Sequence, residues 1–426
     1  MMEYSTFYKN TASWKRPYHL GRAKLAKFWA SLFSKVDIIG ITGSVGKTTT
    51  KEAIIKVLDE KFQVIGTKGN LDPVFNIPMT LLKIRPATQK VVLEMGIEYP
   101  NEMGFYLDLA KPKIGVITRV YWTHTEFLQD LDGVIAEKGK LLEAIPADGV
   151  AVLNFDDESV REKMAPKTSA SIFWYGSYPD VDLQISDFLH QGEDGSRFKL
   201  RYISRSPSRQ DGNGAPLIFS RKLANKNDEI EINWKLIGEH QTTAAAAAAS
   251  VGILSGLNLP EIKKGLEKLE PQPHRMNLIK GPKQSLILDD SYNSSPIAVV
   301  MALETLRSLA HKGRAIAVLG DMLELGKYGE QGHKEVGQKV AEENIDYLIT
   351  LGEKAKIISD EARKRRVKNI LEGKNITQII SEIKKNVSKD DIILVKASRH
   401  AHFERIMAGL TGQPTQISCP VCGMLD

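Results

Sequence analysis

The octapeptide T-G-S-V-G-K-T-T at 42–49 constrains this chain more than any other segment. It follows an apolar run, I-I-G-I-T (38–42), and opens the helical pattern T-T-K-E-A-I-I-K-V-L. A buried strand feeding a glycine turn and then a helix puts free backbone N–H groups and a positive dipole end at one point, which suits a phosphate chain. Gly43, Ser44, Val45, Gly46, Lys47, Thr48 and Thr49 are therefore the expected ATP cradle. Lys47 would reach the β- and γ-phosphates, and the Thr48 hydroxyl would ligate Mg²⁺. Ile41 stands where the full Walker pattern has its first glycine. An ordinary glycine-rich turn is the bland alternative.

Strand–loop–helix at the start of a chain predicts more of the same, and the pattern supplies it. V-V-L-E-M (91–95), I-G-V-I-T (114–118) and V-A-V-L-N (150–154) are short apolar runs separated by helical stretches. Such alternation predicts an α/β fold with a mostly parallel sheet covered on both faces. Residues 180–236 change character: R-F-K-L-R-Y-I, P-L-I-F-S and E-I-E-I-N-W alternate with period two and read as a small antiparallel sheet, with a polar loop at 205–216. A helix with six consecutive alanines is expected from Thr242 to Leu254. P-Q-P-H-R-M (271–276) reads as a hinge. Beyond it S-L-I-L-D, A-I-A-V-L, D-Y-L-I-T-L and D-I-I-L-V repeat the α/β pattern as a Rossmann-like unit. The expected domains are a short basic segment at 1–36, a nucleotide-binding domain at 37–280 and a C-terminal domain at 281–426.

With 426 residues the chain is long enough for two or three domains. No apolar run approaches the roughly 20 residues that span a bilayer, and no signal peptide opens the chain, so the expectation is cytoplasmic. A net charge of +6 argues for no nucleic-acid partner. Its distribution is uneven: Met1 to Val36 holds seven Lys/Arg against one acid, Glu3. Within it, 16–35 reads as an amphipathic helix carrying Leu25, Phe28, Trp29 and Leu32. Packing on its own domain is preferred, and peripheral contact with a membrane surface is the alternative. Cys419 and Cys422 form a lone C-P-V-C, read as two free thiols rather than half of a zinc site.

The glycine loop alone names no reaction. T-G-S-V-G-K-T-T-T-K-E resembles the phosphate loop of the Mur ligases, the amide-forming enzymes of cell-wall precursor synthesis. The resemblance continues in order through G-N…N-I-P-M-T-L-L (69–82), L-E-M-G (93–96), I-T…H (117–124), I-A-E-K-G-K-L (135–141) and V-L-N-F-D-D (152–157). It resumes at G-E-H-Q (238–241), H-R-M (274–276), L-D-D-S-Y-N-S-S-P (288–296), L-G-D-M-L-E-L-G (319–326) and V-K-A-S-R (395–399). The last three are similar to the branch that adds D-alanyl-D-alanine to a UDP-MurNAc-tripeptide.

That resemblance implies a reaction and a set of roles. ATP phosphorylates a carboxylate, an amine attacks the acyl phosphate, and phosphate leaves; catalysis is positioning plus charge neutralisation. By resemblance Thr48 and Glu94 hold a first Mg²⁺, and His124 and Lys138, the latter carrying a carbamate, serve a second. Lys47, His124 and Lys138 are the implied catalytic residues. His240, Gln241, Arg275, Asp290 and Asn293 are implied at the nucleotide, split across the hinge so that domain closure would complete the site. Asn70 and Asp72 are implied at the acceptor, a peptide or nucleotide-sugar-peptide. Asp321, Glu324, Lys396, Ser398 and Arg399 are implied at the incoming dipeptide or amino acid. A monomer is expected.

Several positions depart from the family pattern. Arg119 and Tyr121 stand for Asn and Gly, Gln241 for Asn, and Ala397 for Gly. Asp72, Pro73 and Asn76 replace Asn, Asn and Gly, and only 36 residues precede the first strand. Recognition of the acceptor with little help from a uridine-binding domain is the resulting expectation. A ligase acting on another peptide or a carrier-linked carboxylate is kept as an alternative, and so is an ATP-binding regulatory module.

Overall fold

The computed structural model describes residues 8, 12–69, 71–203 and 228–412. Asn70, the loop at 205–216, the P-L-I-F-S segment and the Cys419–Cys422 pair lie outside the described residues. The chain divides into two compact units: 1–189 with 197–234 and 240–269, and 270–426 with 190–196 and 235–239.

The first unit runs α1 (Arg16–Ser31), β1 (Asp37–Thr42), α2 (Lys47–Leu58), β2 (Val64–Gly66), α3 (Pro73–Leu81), β3 (Lys90–Glu94), α4 (Glu102–Leu109), β4 (Ile114–Ile117), α5 (Thr125–Leu128), α6 (Leu131–Glu143), β5 (Val150–Asn154), β6 (Ser171–Gly176), β7 (Leu183–His190), β8 (Ser196–Tyr202), β9 (Asp228–Trp234), α7 (Thr242–Leu254) and α8 (Leu259–Leu266). The strands form one sheet in the order β2-β3-β1-β4-β5-β6-β7-β8-β9. From β2 to β7 every pairing is parallel. The period-two strands extend its far edge. Ile203 N–H to Asp182 C=O and Gln191 N–H to Gly195 C=O close β7 and β8 as an antiparallel hairpin.

The central strands are buried on both faces, as continuous apolar runs require. Helices α1, α3, α4 and α6 enclose one core with Val91, Leu93, Ile117 and Leu153. Helices α2, α7 and α8 pack together, with α7 also against β5 and β6. Ala244 to Ala249 are all buried there, because α7 packs too closely for larger side chains. The chain goes from β1 to β2 and β3 on one side, then returns past β1 to β4. The strand order therefore reverses at β1, and the crevice at such a switch point is where open α/β sheets hold ligands.

The second unit runs β10 (Asn277–Lys280), β11 (Leu286–Asp289), α9 (Pro296–Leu309), β12 (Ala315–Gly320), α10 (Gly329–Glu342), β13 (Tyr347–Leu351), α11 (Ala355–Lys364), β14 (Ile370–Glu372), α12 (Ile376–Asn386), β15 (Ile392–Lys396) and α13 (Glu404–Thr411). Its sheet order is β10-β11-β15-β12-β13-β14, parallel except for the antiparallel edge strand β10. Ile287, Val318, Ile349, Ile393 and Phe403 centre its own core. The α/β architecture expected from the strand–helix alternation is the one observed.

Candidate active site

Three neighbouring strand ends build the site in the first unit. After β1 comes the glycine loop, after β3 comes Glu94, and after β4 come residues 118–124. Gly46 caps α2 in the left-handed region (φ 82°), where a side chain is costly. At Gly43 a Cβ would stand 1.9 Å from Thr118 Oγ1, so only glycine lets the loop lie against the chain after β4. Thr118 Oγ1 donates to Val45 C=O at 2.6 Å, and Ser44 N–H donates to Arg119 C=O at 2.6 Å. Ser44 Oγ donates to Tyr121 C=O (2.7 Å) and accepts from Tyr121 N–H (2.9 Å). The segment with Arg119 and Tyr121 thus frames the loop through backbone atoms, which any side chain supplies.

Lys47 heads α2, and its Nζ donates to Gly43 C=O (2.9 Å) and Ser44 C=O (3.3 Å), folding the ammonium over the loop. Thr48 Oγ1 donates to Glu94 Oε1 at 2.9 Å, joining the two residues expected at the first metal. Register explains the meeting: Glu94 pairs with Ile41 in the parallel β1–β3 ladder, directly before the loop.

Lys138 lies in the middle of α6 with its side chain buried. Burial, aided by the nearby Lys47 charge, holds its amine well below the usual lysine range, while Glu102 and Glu137 oppose the shift. Glu102 itself is pushed up to about 7 by burial, although it accepts hydrogen bonds from Glu98 and Tyr99 N–H. His124 caps α5 in the left-handed region (φ 56°). Among the described residues no three of His, Cys, Asp and Glu converge as a metal-holding group. His240 and Gln241 form the turn before α7. Asp72 caps α3 through Val74 N–H at 2.9 Å, and burial raises its carboxyl. Asn76 ties the Lys68 backbone with both amide atoms.

In the second unit the expected residues converge because β15 lies between β11 and β12. Lys396 Nζ contacts Asp290 Oδ2 at 2.5 Å and Asn293 C=O at 2.8 Å. Ser398 Oγ accepts from Leu323 N–H at 2.9 Å, and Ser398 N–H donates to Asp321 C=O. The Asp321 carboxylate accepts from Ala355 N–H at the start of α11, and Glu324 takes a positive φ of 62° between these loops. Arg275 and Arg399 both lie on Tyr292, with guanidinium carbons 4.1 and 5.4 Å from the ring centre.

Sequence reasoning missed three groups. Lys51 is fully buried, with Nζ 2.9 Å from Glu52 Oε1 and 3.6 Å from Glu94 Oε2. It sits one helical turn after Lys47, on the inner side of α2, a position the helical period gives. Glu102 beside Lys138 carried no signal, since its proximity comes from packing α4 on α6. His274 pairs with Asp289 at 2.8 Å and stands immediately before Arg275.

Known proteins resemble this chain over most of its length. The Mur ligase middle domain matches residues 41–252, and the Mur ligase glutamate ligase domain matches residues 274–399. UDP-N-acetylmuramoyl-tripeptide–D-alanyl-D-alanine ligase of Bacillus subtilis is 32% identical over 381 residues, 88% of this chain and 76% of the relative. The protein of the same name from Escherichia coli is 27% identical, over 90% of this chain and 78% of its own length. Among solved structures, MurF from Acinetobacter baumannii superposes with a TM-score of 0.77 at 25% identity, covering 93% of this chain and 81% of that one. MurF from Thermotoga maritima, in complex with ADP, gives 0.76 at 25% identity over 92% and 83%. With two Mur ligase domains matched in order and a relative 32% identical across 88% of its residues, the chain belongs to the Mur ligase family.

Proposed function

We propose that this chain is an ATP-dependent, ADP-forming ligase that joins D-alanyl-D-alanine to the terminal carboxylate of a UDP-MurNAc-tripeptide. The observation that carries the reading is the meeting of Lys47, Thr48 and Glu94 at the end of β1 and β3, where a triphosphate and its ion need to be neutralised. The named substrates come from the relatives.

The residues fit Mg²⁺. Thr48 and Glu94 offer hard oxygen donors already within hydrogen-bond distance of each other. The ion, when bound, would neutralise phosphate charge. Lys47 releases the Gly43 and Ser44 carbonyls and places its ammonium on the transferring phosphoryl group, while the loop N–H groups hold the phosphate chain. Lys138 is disposed towards carbamylation, because a neutral amine is what attacks CO₂, and burial shifts the Lys138 amine towards that form. A carbamate there would supply the metal-binding oxygens that a lysine lacks.

In the second unit we assign Arg275, Asp290 and Asn293 to the nucleotide. Ser398 and Arg399 are assigned to the carboxylate of the incoming amine, for which a planar guanidinium is suited. Lys396 orients Asp290 and the Asn293 carbonyl. A cytoplasmic location follows from the ATP requirement.

The test is ADP release measured with each substrate omitted in turn. ADP should form only when the UDP-MurNAc-tripeptide and D-alanyl-D-alanine are both present. Turnover indifferent to both would overturn the reading, and turnover with an unrelated carboxylate but not with the tripeptide would reassign the acceptor.

A further inference from the structure

Helix α1 buries its alanines on one face and exposes a row of large side chains on another. Ala23 and Ala26 are fully buried, and Leu20, Trp29, Ala30 and Phe33 complete the packing against α3 and α4. Trp29 Nε1 donates to Ile84 C=O at 3.0 Å, which fixes the helix rotation. The sequence expectation that Leu25, Phe28 and Leu32 join Trp29 on the packed face is therefore not met. Alanines allow the closer approach to α3 and α4, and Leu25, Phe28 and Leu32 are left exposed.

Trp14 is 75% exposed, Tyr18 66%, Leu25 54%, Phe28 61% and Leu32 58%. These residues and Gly21 recur in steps of four, three, four, three and four, which holds them on one face. A Cβ built at Gly21 meets nothing within 4 Å, so the row is open along its length. Among the described residues none covers the strip, and a contiguous apolar strip in water marks an interaction surface.

Charge says what kind. Residues 12–36 contain Lys15, Arg16, Arg22, Lys24, Lys27 and Lys35 and no acidic residue. Lys15 lies on the Trp14 ring at 4.9 Å and Arg22 on Tyr18 at 5.6 Å, so cations border the aromatic strip. Lys27 is answered by Asp108 at 2.5 Å; Lys15, Lys24 and Lys35 are exposed. A second copy docking by the same face would set these cations against themselves.

We propose that α1 docks this chain on an anionic lipid surface. The strip enters the boundary between headgroups and acyl chains, and Lys15, Lys24 and Lys35 lie on headgroup phosphates. Attachment is peripheral: α1 has 16 residues, and among the described residues no helix is long and apolar enough to cross a membrane. The proposal does not depend on the ligase reading.

The test is co-sedimentation of the full chain with vesicles of phosphatidylcholine, alone or with about 30% phosphatidylglycerol. The parent is compared with Leu25→Glu/Phe28→Glu and with Lys15→Glu/Lys24→Glu. All four positions are exposed, so ATP turnover without lipid and the thermal midpoint should be unchanged. The expected result is binding to the anionic vesicles that weakens at least about tenfold on neutral vesicles and in each variant. Absence of binding at about 1 mM lipid, or equal binding to both vesicles, would overturn the proposal. A lipid-independent dimer that Leu25→Glu/Phe28→Glu dissociates would also overturn it and give the face to a second copy.

Discussion

Lys138 and His274 are both titratable groups that the interior moves, in opposite directions. Burial depresses Lys138, so its neutral amine is present above the depressed pKa and is lost as pH falls through it. Lys138→Ala should therefore be inactive and partly rescued by a small carboxylate such as acetate. ATP turnover of the parent should fall on the acid side and recover with added bicarbonate. A fully active Lys138→Ala would sink the carbamate assignment. For His274 the hydrogen bond to Asp289 raises the pKa. Its contribution to stability is then complete below the unfolded value of about 6.5 and is lost as pH rises through the raised folded value. His274 has φ 60°, so Asn is the gentle replacement. His274→Asn should cost about 1–2 kcal/mol near pH 6, and the gap should narrow towards pH 9. Urea titrations at the two pH values measure this, and a gap independent of pH would remove the charged pair from the account.

Among the elements, α2 is held from behind as tightly as its N-terminus is held in front. A Cβ at Gly265 of α8 would stand 2.6 Å from Val57 Cα, and one at Gly252 of α7 would stand 2.7 Å from Val57 Cγ1. The glycines and alanines of α7 and α8 set how close α2 lies, and α2 carries Lys47, Thr48 and Lys51. Gly252→Leu, whose Cβ would stand 2.7 Å from Val57 Cγ1 of α2, should cost about 1–3 kcal/mol. Because α2 must shift to admit the larger side chain, KM for ATP should rise along with the loss of stability. Chemical denaturation and steady-state kinetics check the two arms; a lost stability with unchanged KM would separate packing from the site. The helices themselves were legible in the sequence: the apolar period gave α2, and the alanine run gave α7. Which helix faces which was not, because six alanines carry no directional pattern.

Over the whole molecule, stability and ligand binding are linked. A ligand that binds only the folded chain stabilises it by RT ln(1 + [L]/Kd), about 2.7 kcal/mol at a hundredfold excess over Kd. A non-hydrolysable ATP analogue with Mg²⁺ should raise the thermal midpoint accordingly. Lys47→Ala should remain folded, abolish ATP turnover and lose most of that shift, since the lysine lies over the loop and outside the two cores. A parent-sized shift or near-normal turnover in Lys47→Ala would withdraw the phosphate loop from the site. Scanning calorimetry reads the first and ADP release the second.

The sequence by itself determined the chemistry-bearing loop, the alternation of strand and helix, and the order of the Mur ligase blocks. These are local: a glycine needing positive φ, a hydroxyl after a lysine and an apolar period are all written within a few residues. Tertiary structure alone decided which distant residues meet. Glu94 reaches Thr48 because β3 pairs parallel with β1 in a particular register. Lys396 reaches Asp290 because β15 inserts beside β11. Burial on α6 depresses the Lys138 amine, and Trp14, Tyr18 and Phe28 are exposed because the chain packs Ala23, Ala26 and Trp29 against its core. Strand order, register and burial arise from non-local packing, and a helix pattern states which residues share a face without stating which face the core will take.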